Sequence, residues 1–384
     1  MNHEFRSVPR IISEAGALQQ VGQLFATLGA RRIMLVCDPG IVRLGFAEQA
    51  QAALLKAGCS VALFDQVVAD PPAGVVTQAV SQARAFEADG VLGLGGGSSL
   101  DAAKLVALLI NSEQPLAALY GTDKAHGQRT PLVLVPTTAG TGSEVTWVSV
   151  ITDEQQRKQA VYAPQLMPDV AVLDPDLTLG LPAQVTAATG LDAMVHAIEA
   201  YTSRTRKNPI SDGLATAALG LLGGNLRQVL ADGKNVQARA AMLQGSLMAG
   251  MAFVNASVAA IHALAYPLGA RFHIPHGHAN ALVMAPVIRF NLAAAQRQYA
   301  ELAAHLLPDS AFDDEASAAE AFVQAIEALV KDSGLELRLS RLQVDEASID
   351  AMAEDVVQGL RRLLDSNPRD LTEQDVQAIY RSIF

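Results

Sequence analysis

Three short apolar segments in the first half of the chain constrain its fold more than any other feature. They are "RRIMLVCD" (31–38), "DGVLGLGGG" (89–97) and "PLVLVPTT" (131–138), and each ends in Asp, Gly or Thr. The stretches 47–58 and 76–88 between the first two have helical spacing. Strands that are apolar on both faces and alternate with helices are typical of a parallel sheet covered on both sides. We therefore predict an α/β domain that binds ligands at the carboxyl ends of its strands.

The second half of the chain has a different pattern. From about residue 182 it is Ala-rich and amphipathic with helical spacing. Its last helical stretch opens with Thr372 and Asp375, which predicts a capping-box start. The stretch 167–182 carries three prolines and is the predicted boundary. Because 384 residues exceed what one hydrophobic core holds, we predict an α/β domain over 1–181 and an all-helical domain over 182–384.

Composition argues against several classes of partner. The formal net charge of −11 argues against nucleic acid and anionic membrane, because both attract basic surfaces. The N-terminus lacks the apolar core of a signal peptide, and no apolar stretch approaches the ~20 residues of a membrane helix. Cys37 and Cys59 form no CxxC pair, which is typical of a reduced protein. We expect a cytoplasmic protein.

Four of the eight histidines lie between positions 262 and 278. Two of them, His262 on a helical stretch and His276 on a predicted loop, combine with the pair Asp192 and His196. That pair has i, i+4 spacing, so both side chains share one helix face. One carboxylate with three imidazoles suits Fe(II), Zn(II), Co(II) or Ni(II). With a dication the shell carries a charge of about +1, and an alkoxide would neutralise that charge if the substrate is an alcohol or aldehyde. The alternatives are a surface pair, a hydrogen-bonded core histidine and a turn residue.

Two polar turns follow the second and third apolar segments. "GLGGGSSLDAAK" (93–104) leads from a strand into a helix, where backbone N–H groups can cradle phosphate. "VPTTAGTGSEVT" (135–146) places hydroxyl side chains and glycines at a strand end, as ligand-binding loops do. The alternatives are a plain turn with Ser98 as N-cap and Asp101 at the third helical position, and an ordinary polar loop.

Asp38 ends the first apolar segment in "CDPG". A carboxylate at this place can bind both hydroxyls of an adenosine ribose and repel a 2′-phosphate, which predicts a preference for NAD over NADP. The alternative is that Asp38 is only the first residue of a Pro-Gly turn, where Asp is common.

Five motifs together resemble one known family, the iron-containing (group III) alcohol dehydrogenases. In chain order the motifs are "GLGGGSSLDAAK", "PTTAGTGSEVT", "LMPDVAVLDPDLTLGLP", "TGLDAMVHAIEAYTS" and "HALAYPLGARFHIPHGHANAL". The resemblance covers roughly residues 10–290, and the helical tail is similar too. It implies an NAD-binding α/β domain and a helical metal-binding domain in a dehydroquinate synthase-like architecture. It also implies a cleft for NAD(P) and one divalent metal, Fe(II) or alternatively Zn(II), and a homodimer or higher homo-oligomer.

The resemblance assigns individual residues when its motifs are carried over position by position. The implied metal ligands are Asp192, His196, His262 and His276. The implied cofactor contacts are Asp38, Gly96, Gly97, Ser98, Asp101, Thr137, Thr138, Thr141, Lys158 and Leu177.

The chain departs from the family at one position. The family reads His-Ala-x-x-His after its third ligand, whereas this chain reads "HALAY", so Tyr266 replaces the second histidine. Tyrosine has an ordinary pKa of about 10 and is a poor base at neutral pH. We therefore take Tyr266, with the nearby His273 and His278, as candidates for proton transfer. The alternative is that the two histidines are loop residues without a chemical role.

The resulting prediction is an NAD- and metal-dependent alcohol dehydrogenase or aldehyde reductase that acts on a small alcohol. Maleylacetate reductases are similar in fold but lack this metal shell as a family. A dehydroquinate synthase-like lyase needs many Lys and Arg for its anionic substrate, and the helical half offers few of them near the predicted metal ligands, chiefly Arg271. A non-catalytic NAD-binding protein is disfavoured by the complete ligand set.

Overall fold

The computed structural model describes residues 3–155 and 157–384. The described chain forms two compact units, one of Ser7–Leu179 and one of residues 3–6 with Gly180–Phe384. We call them the N-terminal unit and the C-terminal unit. The first contains a parallel sheet with helices and the second is helical, so the predicted fold class is confirmed.

The N-terminal unit is built on two sheets. Its strands are β1 (Arg10–Ser13), β2 (Arg32–Val36), β3 (Ser60–Phe64), β4 (Gly90–Gly95), β5 (Gly121–Thr122), β6 (Leu132–Pro136), β7 (Val148–Thr152), β8 (Lys158–Tyr162) and β9 (Val170–Leu173). Six of them form a sheet in the order β1-β9-β6-β4-β2-β3, and each neighbouring pair is parallel. The three-stranded sheet has the order β5-β8-β7.

Helices cover both faces of the six-stranded sheet. They are α1 (Val21–Thr27), α2 (Pro39–Arg43), α3 (Phe46–Lys56), α4 (Ala73–Ala85) and α5 (Gly97–Leu109). Alternate residues of β2 enter opposite cores: Met34 and Val36 pack with α4 and α5, and Ile33 and Leu35 pack with α1 and α3. This arrangement explains why the central strands are apolar at every position.

The three apolar segments and the two helical stretches of the first half are confirmed as β2, β4, β6, α3 and α4. The interpretation of 167–182 as a plain connection is wrong in part, because β9 lies inside it and pairs with β1 and β6. β3 was also missed. Both strands have only four or five residues, and their pairing with distant strands leaves no local signal.

The C-terminal unit consists of helices. They are α6 (Ala183–Thr202), α7 (Pro209–Ala231), α8 (Val236–Ala256), α9 (Ala260–Phe272), α10 (His276–Leu306), α11 (Glu315–Asp332), α12 (Ser348–Gly359), α13 (Arg361–Leu364) and α14 (Glu373–Ser382). The predicted capping box of α14 is confirmed, with Thr372 and Asp375 in reciprocal hydrogen bonds. Within the two described ranges no single helix has the length and apolarity to cross a membrane, although the bent pair α8 and α9 passes that test jointly.

Candidate metal centre and cofactor-binding loops

Three helices of the C-terminal unit bring the four predicted ligand residues together. Asp192 and His196 lie on α6, His262 is in the first turn of α9, and His276 is the first residue of α10. Each residue offers one ligand atom, and these four atoms lie within 4.8 Å of one another. His262 Nε2 is 3.1 Å from His196 Nε2, and His276 Nε2 is 3.5 Å from Asp192 Oδ1. We call these four residues the ligand cluster.

The prediction that His276 stands on a loop is wrong, because α10 begins at His276 and Pro275 occupies the N-cap position. Gly277 then allows α10 to approach α6. A Cβ atom at position 277 would come within 2.5 Å of the carbonyl oxygen of Ala188 and 3.4 Å of Asp192 Cβ. A side chain at this position would push the first turn of α10, and with it the His276 ring, away from Asp192.

The cluster is buried and its electrostatics favour a cation. Asp192, His196 and His262 are at most 4% exposed, while His276 is half-buried. Burial by itself raises the pKa of Asp192. The charges of the three imidazoles and a hydrogen bond from Asn280 lower it, and the net result is a pKa below the ordinary value. A buried carboxylate beside three imidazole nitrogens is a donor set that fits a divalent transition metal.

Asn280, one turn after His276 on α10, also reaches the cluster. Its Nδ2 lies 2.6 Å from Asp192 Oδ1 and 3.3 Å from the Nε2 atoms of both His262 and His276. Its Oδ1 is buried and has no hydrogen-bond partner in the described parts of the chain. An unpaired buried oxygen on a side chain whose Nδ2 contacts three of the ligand residues is a second observation that fits a bound cation at this place.

Sequence reasoning missed both Asn280 and Glu199. Glu199 lies on α6 at i+7 from Asp192 and i+3 from His196, and its carboxylate is 2.7 Å from His262 Nδ1. The spacing Asp-x3-His-x2-Glu on one helix face was a usable signal for Glu199. The i, i+4 spacing of His276 and Asn280 was the corresponding signal in α10, hidden by the assignment of His276 to a loop.

Of the three residues predicted for proton transfer, Tyr266 lies beside the cluster. Its ring centroid is 6.4 Å from that of His262 and 6.0 Å from that of His276. His273 is exposed and ends α9 in a left-handed conformation, with φ at 55°. His278 donates from Nε2 to the carbonyl oxygen of Glu336 at 2.7 Å.

The predicted phosphate cradle of the N-terminal unit lies between β4 and α5. Gly96 precedes the helix, and Gly96, Gly97 and Ser98 are half-buried among fully buried neighbours. The first N–H groups of any helix lack intrahelical acceptors, so they are available to an anion. The alternative in which Ser98 is the N-cap is wrong, because α5 already begins at Gly97. Gly95 has φ at +142°, and a Cβ there would lie 2.8 Å from Ser99 Oγ.

The threonine-rich loop after β6 packs against this cradle. A Cβ atom on Gly97 would lie 2.7 Å from Thr141 Cγ2, and the N–H of Thr137 donates to the carbonyl of Gly95 at 3.0 Å. Thr138 and Thr141 are half-buried and Thr137 is buried. The two turns predicted from sequence therefore form one surface within the N-terminal unit.

Asp101 accepts hydrogen bonds from the threonine-rich loop and from β7. Its Oδ1 accepts from Ser143 Oγ at 2.5 Å and from Lys104 Nζ at 3.3 Å, and its Oδ2 accepts from the N–H of Val150 at 2.9 Å. Both oxygens of the Asp101 carboxylate therefore accept hydrogen bonds from other protein groups. The structure therefore gives Asp101 a part in shaping the cradle.

Of the other predicted cofactor residues, Asp38 lies next to the cradle, while Lys158 and Leu177 have contacts of another kind. Asp38 is the N-cap of α2, and its Oδ1 accepts from the N–H groups of Gly40 and Ile41. Its Oδ2 accepts from Ser99 Oγ at 3.3 Å, which places Asp38 next to the turn Gly96–Ser98 of the predicted cradle, called the glycine turn below. Lys158 pairs with Asp70, and Leu177 is buried in the core of the N-terminal unit.

Family profiles match both parts of this chain. The profile of "Iron-containing alcohol dehydrogenase" matches residues 9–175, and that of "Fe-containing alcohol dehydrogenase family, C-terminal" matches residues 186–384. The chain belongs to the iron-containing alcohol dehydrogenases. The predicted family is thereby confirmed.

The chain is also similar to individual proteins in sequence and in structure. Long-chain-alcohol dehydrogenase 1 of Geobacillus thermodenitrificans (strain NG80-2) is 41% identical over 372 residues, which cover 96% of this chain and 93% of the relative. A crystal structure of 1,3-propanediol oxidoreductase has a TM-score of 0.96 at 35% identity, with 100% of both chains covered. Sulfoacetaldehyde reductase from Bifidobacterium kashiwanohense in complex with NAD+ has a TM-score of 0.90 at 28% identity, with 100% of this chain and 99% of that chain covered.

Membership in the iron-containing alcohol dehydrogenases fixes the class of activity. The chain is an enzyme, an oxidoreductase of the alcohol dehydrogenase type, and that prediction is confirmed. The ligand cluster and the glycine turn are the parts of this iron-containing alcohol dehydrogenase that fit a metal and a dinucleotide.

Proposed function

We propose that the protein is an NAD-dependent and divalent-metal-dependent alcohol dehydrogenase that interconverts a small alcohol and its aldehyde. One observation carries the proposal: four ligand atoms of one carboxylate and three imidazoles lie within 4.8 Å of one another in a buried part of the C-terminal unit. Fe(II) is the metal proposed first, with Zn(II) as the alternative, because both accept imidazole and carboxylate ligands.

The bound groups supply the difficult chemistry. When bound, a divalent ion would supply Lewis acidity toward the substrate oxygen, and a nicotinamide would supply hydride-transfer chemistry. The chain supplies the holding residues. Asp192, His196, His262 and His276 would hold the ion, and their mutual placement is fixed by α6, α9 and α10.

The side chains around the cluster control its environment. Phe253 stacks on His196 with ring centroids 4.3 Å apart, so it limits the motion of that ring and keeps water away from one of its faces. Tyr266 lies beside His262 and His276, where its hydroxyl can hydrogen-bond a group that gains or loses a proton.

The dinucleotide proposal is supported by the glycine turn, by Asp38 and by one relative. The turn Gly96–Ser98 offers helix N–H groups to a pyrophosphate. Asp38 lies next to this turn, because its carboxylate accepts a hydrogen bond from Ser99. A carboxylate at this position favours a free ribose hydroxyl over a 2′-phosphate. Sulfoacetaldehyde reductase, which shares the fold over the whole chain, has been crystallised with NAD+.

The substrate class is proposed from the relatives and from the charge of the site. The relatives act on long-chain alcohols, on 1,3-propanediol and on sulfoacetaldehyde, as their names state. A shell of one carboxylate around a dication has a net charge of about +1 and favours an oxygen that becomes negative during hydride transfer. We therefore propose an alcohol or aldehyde group as the part of the substrate that this site recognises.

The test is a screen of NADH formation over a panel of primary and secondary alcohols, with NADH consumption measured for the matching aldehydes. The protein is stripped with a chelator and then reloaded with Fe(II) or Zn(II). We expect activity to vanish on stripping and to return on reloading. His196→Ala should lose activity about a thousandfold together with its metal, while the matched control His305→Ala, an exposed histidine on α10, should keep both. Full activity of the stripped protein would contradict the proposal.

A further inference from the structure

Glu199 is a buried carboxylate that contacts the ligand cluster without being a member of it. It is 3% exposed and accepts three hydrogen bonds, all from the start of α9. Oε2 accepts from the N–H of Ala259 at 2.8 Å and from His262 Nδ1 at 2.7 Å, and Oε1 accepts from the N–H of Ile261 at 2.6 Å.

These contacts determine which nitrogen of His262 carries the proton. A carboxylate can only accept, so His262 Nδ1 must be the donor in its hydrogen bond to Glu199. The neutral ring then has a bare lone pair on Nε2. That atom points into the cluster, 3.1 Å from His196 Nε2 and 3.3 Å from Asn280 Nδ2.

The same carboxylate fixes the start of the helix that carries His262. The N–H groups of Ala259 and Ile261 lie where a helix has unpaired donors, and a negative charge there is favoured by the helix dipole. The chain enters α9 through Ser257, whose φ of 124° is rare for a residue with a side chain. Glu199 thus holds the His262 ring and also the backbone of the first residues of α9, close to the unusual conformation of Ser257.

We propose that Glu199 is a positioning residue of the metal centre, which holds His262 in the tautomer and orientation that present Nε2 to a divalent ion. This inference rests on the proposed metal-binding function. It differs from a plain capping role, because a cap would stabilise α9 without setting the protonation of the ligand ring.

The substitution Glu199→Gln separates these roles. Gln keeps the shape but has one acceptor oxygen and one NH2 group, so it cannot accept from all three donors. If the NH2 group faces His262, Nδ1 becomes the acceptor and Nε2 takes the proton that blocks metal binding. The matched control is Asp174→Asn, because Asp174 is a buried carboxylate that accepts from the N–H groups of Gly16, Leu18 and Asp176 and contacts no imidazole among its described partners.

The experiment measures metal affinity directly. Chelator-stripped full-length protein is titrated with Zn(II), and separately with Co(II), in competition with a chelator of known affinity, and the visible spectrum of the Co(II) form is recorded. We expect Glu199→Gln to weaken binding of both ions 10- to 100-fold and to change the Co(II) spectrum. Asp174→Asn should bind both ions like the wild type, and Glu199→Asp, which keeps the charge, should bind more tightly than Glu199→Gln.

The outcomes separate the two proposals. If wild type and His262→Ala bind Zn(II) equally, the metal site itself is wrong. If binding depends on His262 but Glu199→Gln has wild-type affinity and spectrum, the role of Glu199 is wrong. A measurement on the wild type covers the case in which the variant fails to fold. In metal-free protein labelled with 15N-histidine, His262 Nδ1 should give the signal of a protonated ring nitrogen, and the signal of a bare Nδ1 would overturn the inference.

Discussion

Asn280 Nδ2 donates to Asp192 Oδ1 at 2.6 Å, inside a cluster of four potential metal ligands. The contact joins α10 to α6 and gives the buried carboxylate a donor of its own. The amide therefore does part of what a cation does in this pocket: it places positive hydrogen atoms against an acceptor that is shut off from water.

We predict that Asn280→Asp makes the protein depend on its metal. The substitution keeps the shape but puts a second carboxylate within 2.6 Å of the first. Without a cation the two charges repel, so we expect the metal-free variant to lose about 2 to 4 kcal/mol of unfolding free energy. A divalent ion neutralises both carboxylates, so the rise in melting temperature on adding Zn(II) should be larger than in the wild type.

The matched control for this prediction is Asn291→Asp. Asn291 is also a buried asparagine on α10, but it pairs with Asn367 through hydrogen bonds of 2.9 and 2.7 Å. That variant should lose stability without any extra rescue by Zn(II). Equal rescue of the two variants would show that Asn280 does not act at a cation site.

The second prediction concerns cofactor choice. Asp38→Asn removes the charge but keeps an N-cap of equal quality for α2, because Asn and Asp cap helices equally well. We expect the preference for NAD over NADP, measured as the ratio of kcat/KM values, to fall by roughly tenfold to a hundredfold. The melting temperature should stay close to that of the wild type.

Two further variants identify the cause of such a change. Asp38→Ala should shift the preference similarly and in addition destabilise the protein by about 0.5 to 2 kcal/mol, since it removes the cap. Asp89→Asn removes a charge just before β4, at the amino-terminal end of the strands, whereas Asp38 lies at their carboxyl end. This variant should leave the preference for NAD over NADP unchanged. An unaltered preference in Asp38→Asn would mean that Asp38 acts only as the cap of α2.

The parts of the site that were predicted from sequence are those with a local signal. Asp192 and His196 are four residues apart on one helix, and the glycine turn directly follows an apolar strand. Glu199 shows the limit of such reasoning. Its three partners lie 60 to 63 residues away on another helix, so its spacing reveals the face it shares with the ligands but not what it holds. The same limit hid β9, whose partners are distant strands.

The third prediction concerns Tyr266, which stands where the family motif has histidine. Its ring lies 6.0 Å from that of His276, and a tyrosine hydroxyl is in general a poor base at neutral pH compared with imidazole. Tyr266→His should raise alcohol oxidation near pH 7 or shift the lower limb of the pH profile of kcat/KM. Tyr266→Phe, which keeps the ring and loses the hydroxyl, is the control for packing.

His273 and His278 are tested in the same assay. The hydrogen bond of His278 to the carbonyl of Glu336 favours a structural role, so His278→Ala should lose about 1 kcal/mol of stability and keep its pH profile. Loss of turnover with full metal content in either alanine variant would instead identify that histidine as the relay. If no variant of the three positions changes the pH profile, proton transfer through this segment does not limit turnover.

The last prediction concerns a buried carboxyl group in the N-terminal unit. Glu144 lies near the end of the threonine-rich loop, is 1% exposed, and its Oε1 has no hydrogen-bond partner within residues 3–155 and 157–384. Burial raises the pKa of Glu144 to about 7, against the partial compensation of a backbone hydrogen bond and the charge of Lys104. A carboxyl whose pKa is higher in the folded state than in the unfolded state favours folding at low pH. Its contribution is lost as the pH rises from about 4.5 to about 7.

Glu144→Gln should therefore remove part of the pH dependence of the unfolding free energy without removing a hydrogen bond of Oε1. The variant keeps a neutral side chain of the same shape, and Lys104 keeps its hydrogen bonds to Asp101, Thr146 and Val148. Relative to its stability at pH 5, the wild type should lose up to about 3 kcal/mol more than the variant by pH 8, because one pKa unit corresponds to about 1.4 kcal/mol. Urea unfolding followed by the fluorescence of Trp147, the single tryptophan, measures the difference. The control is Glu48→Gln, at an exposed site on α3, whose stability should change with pH as that of the wild type does. If the stability of Glu144→Gln also changes with pH in parallel with the wild type, Glu144 does not titrate in this range.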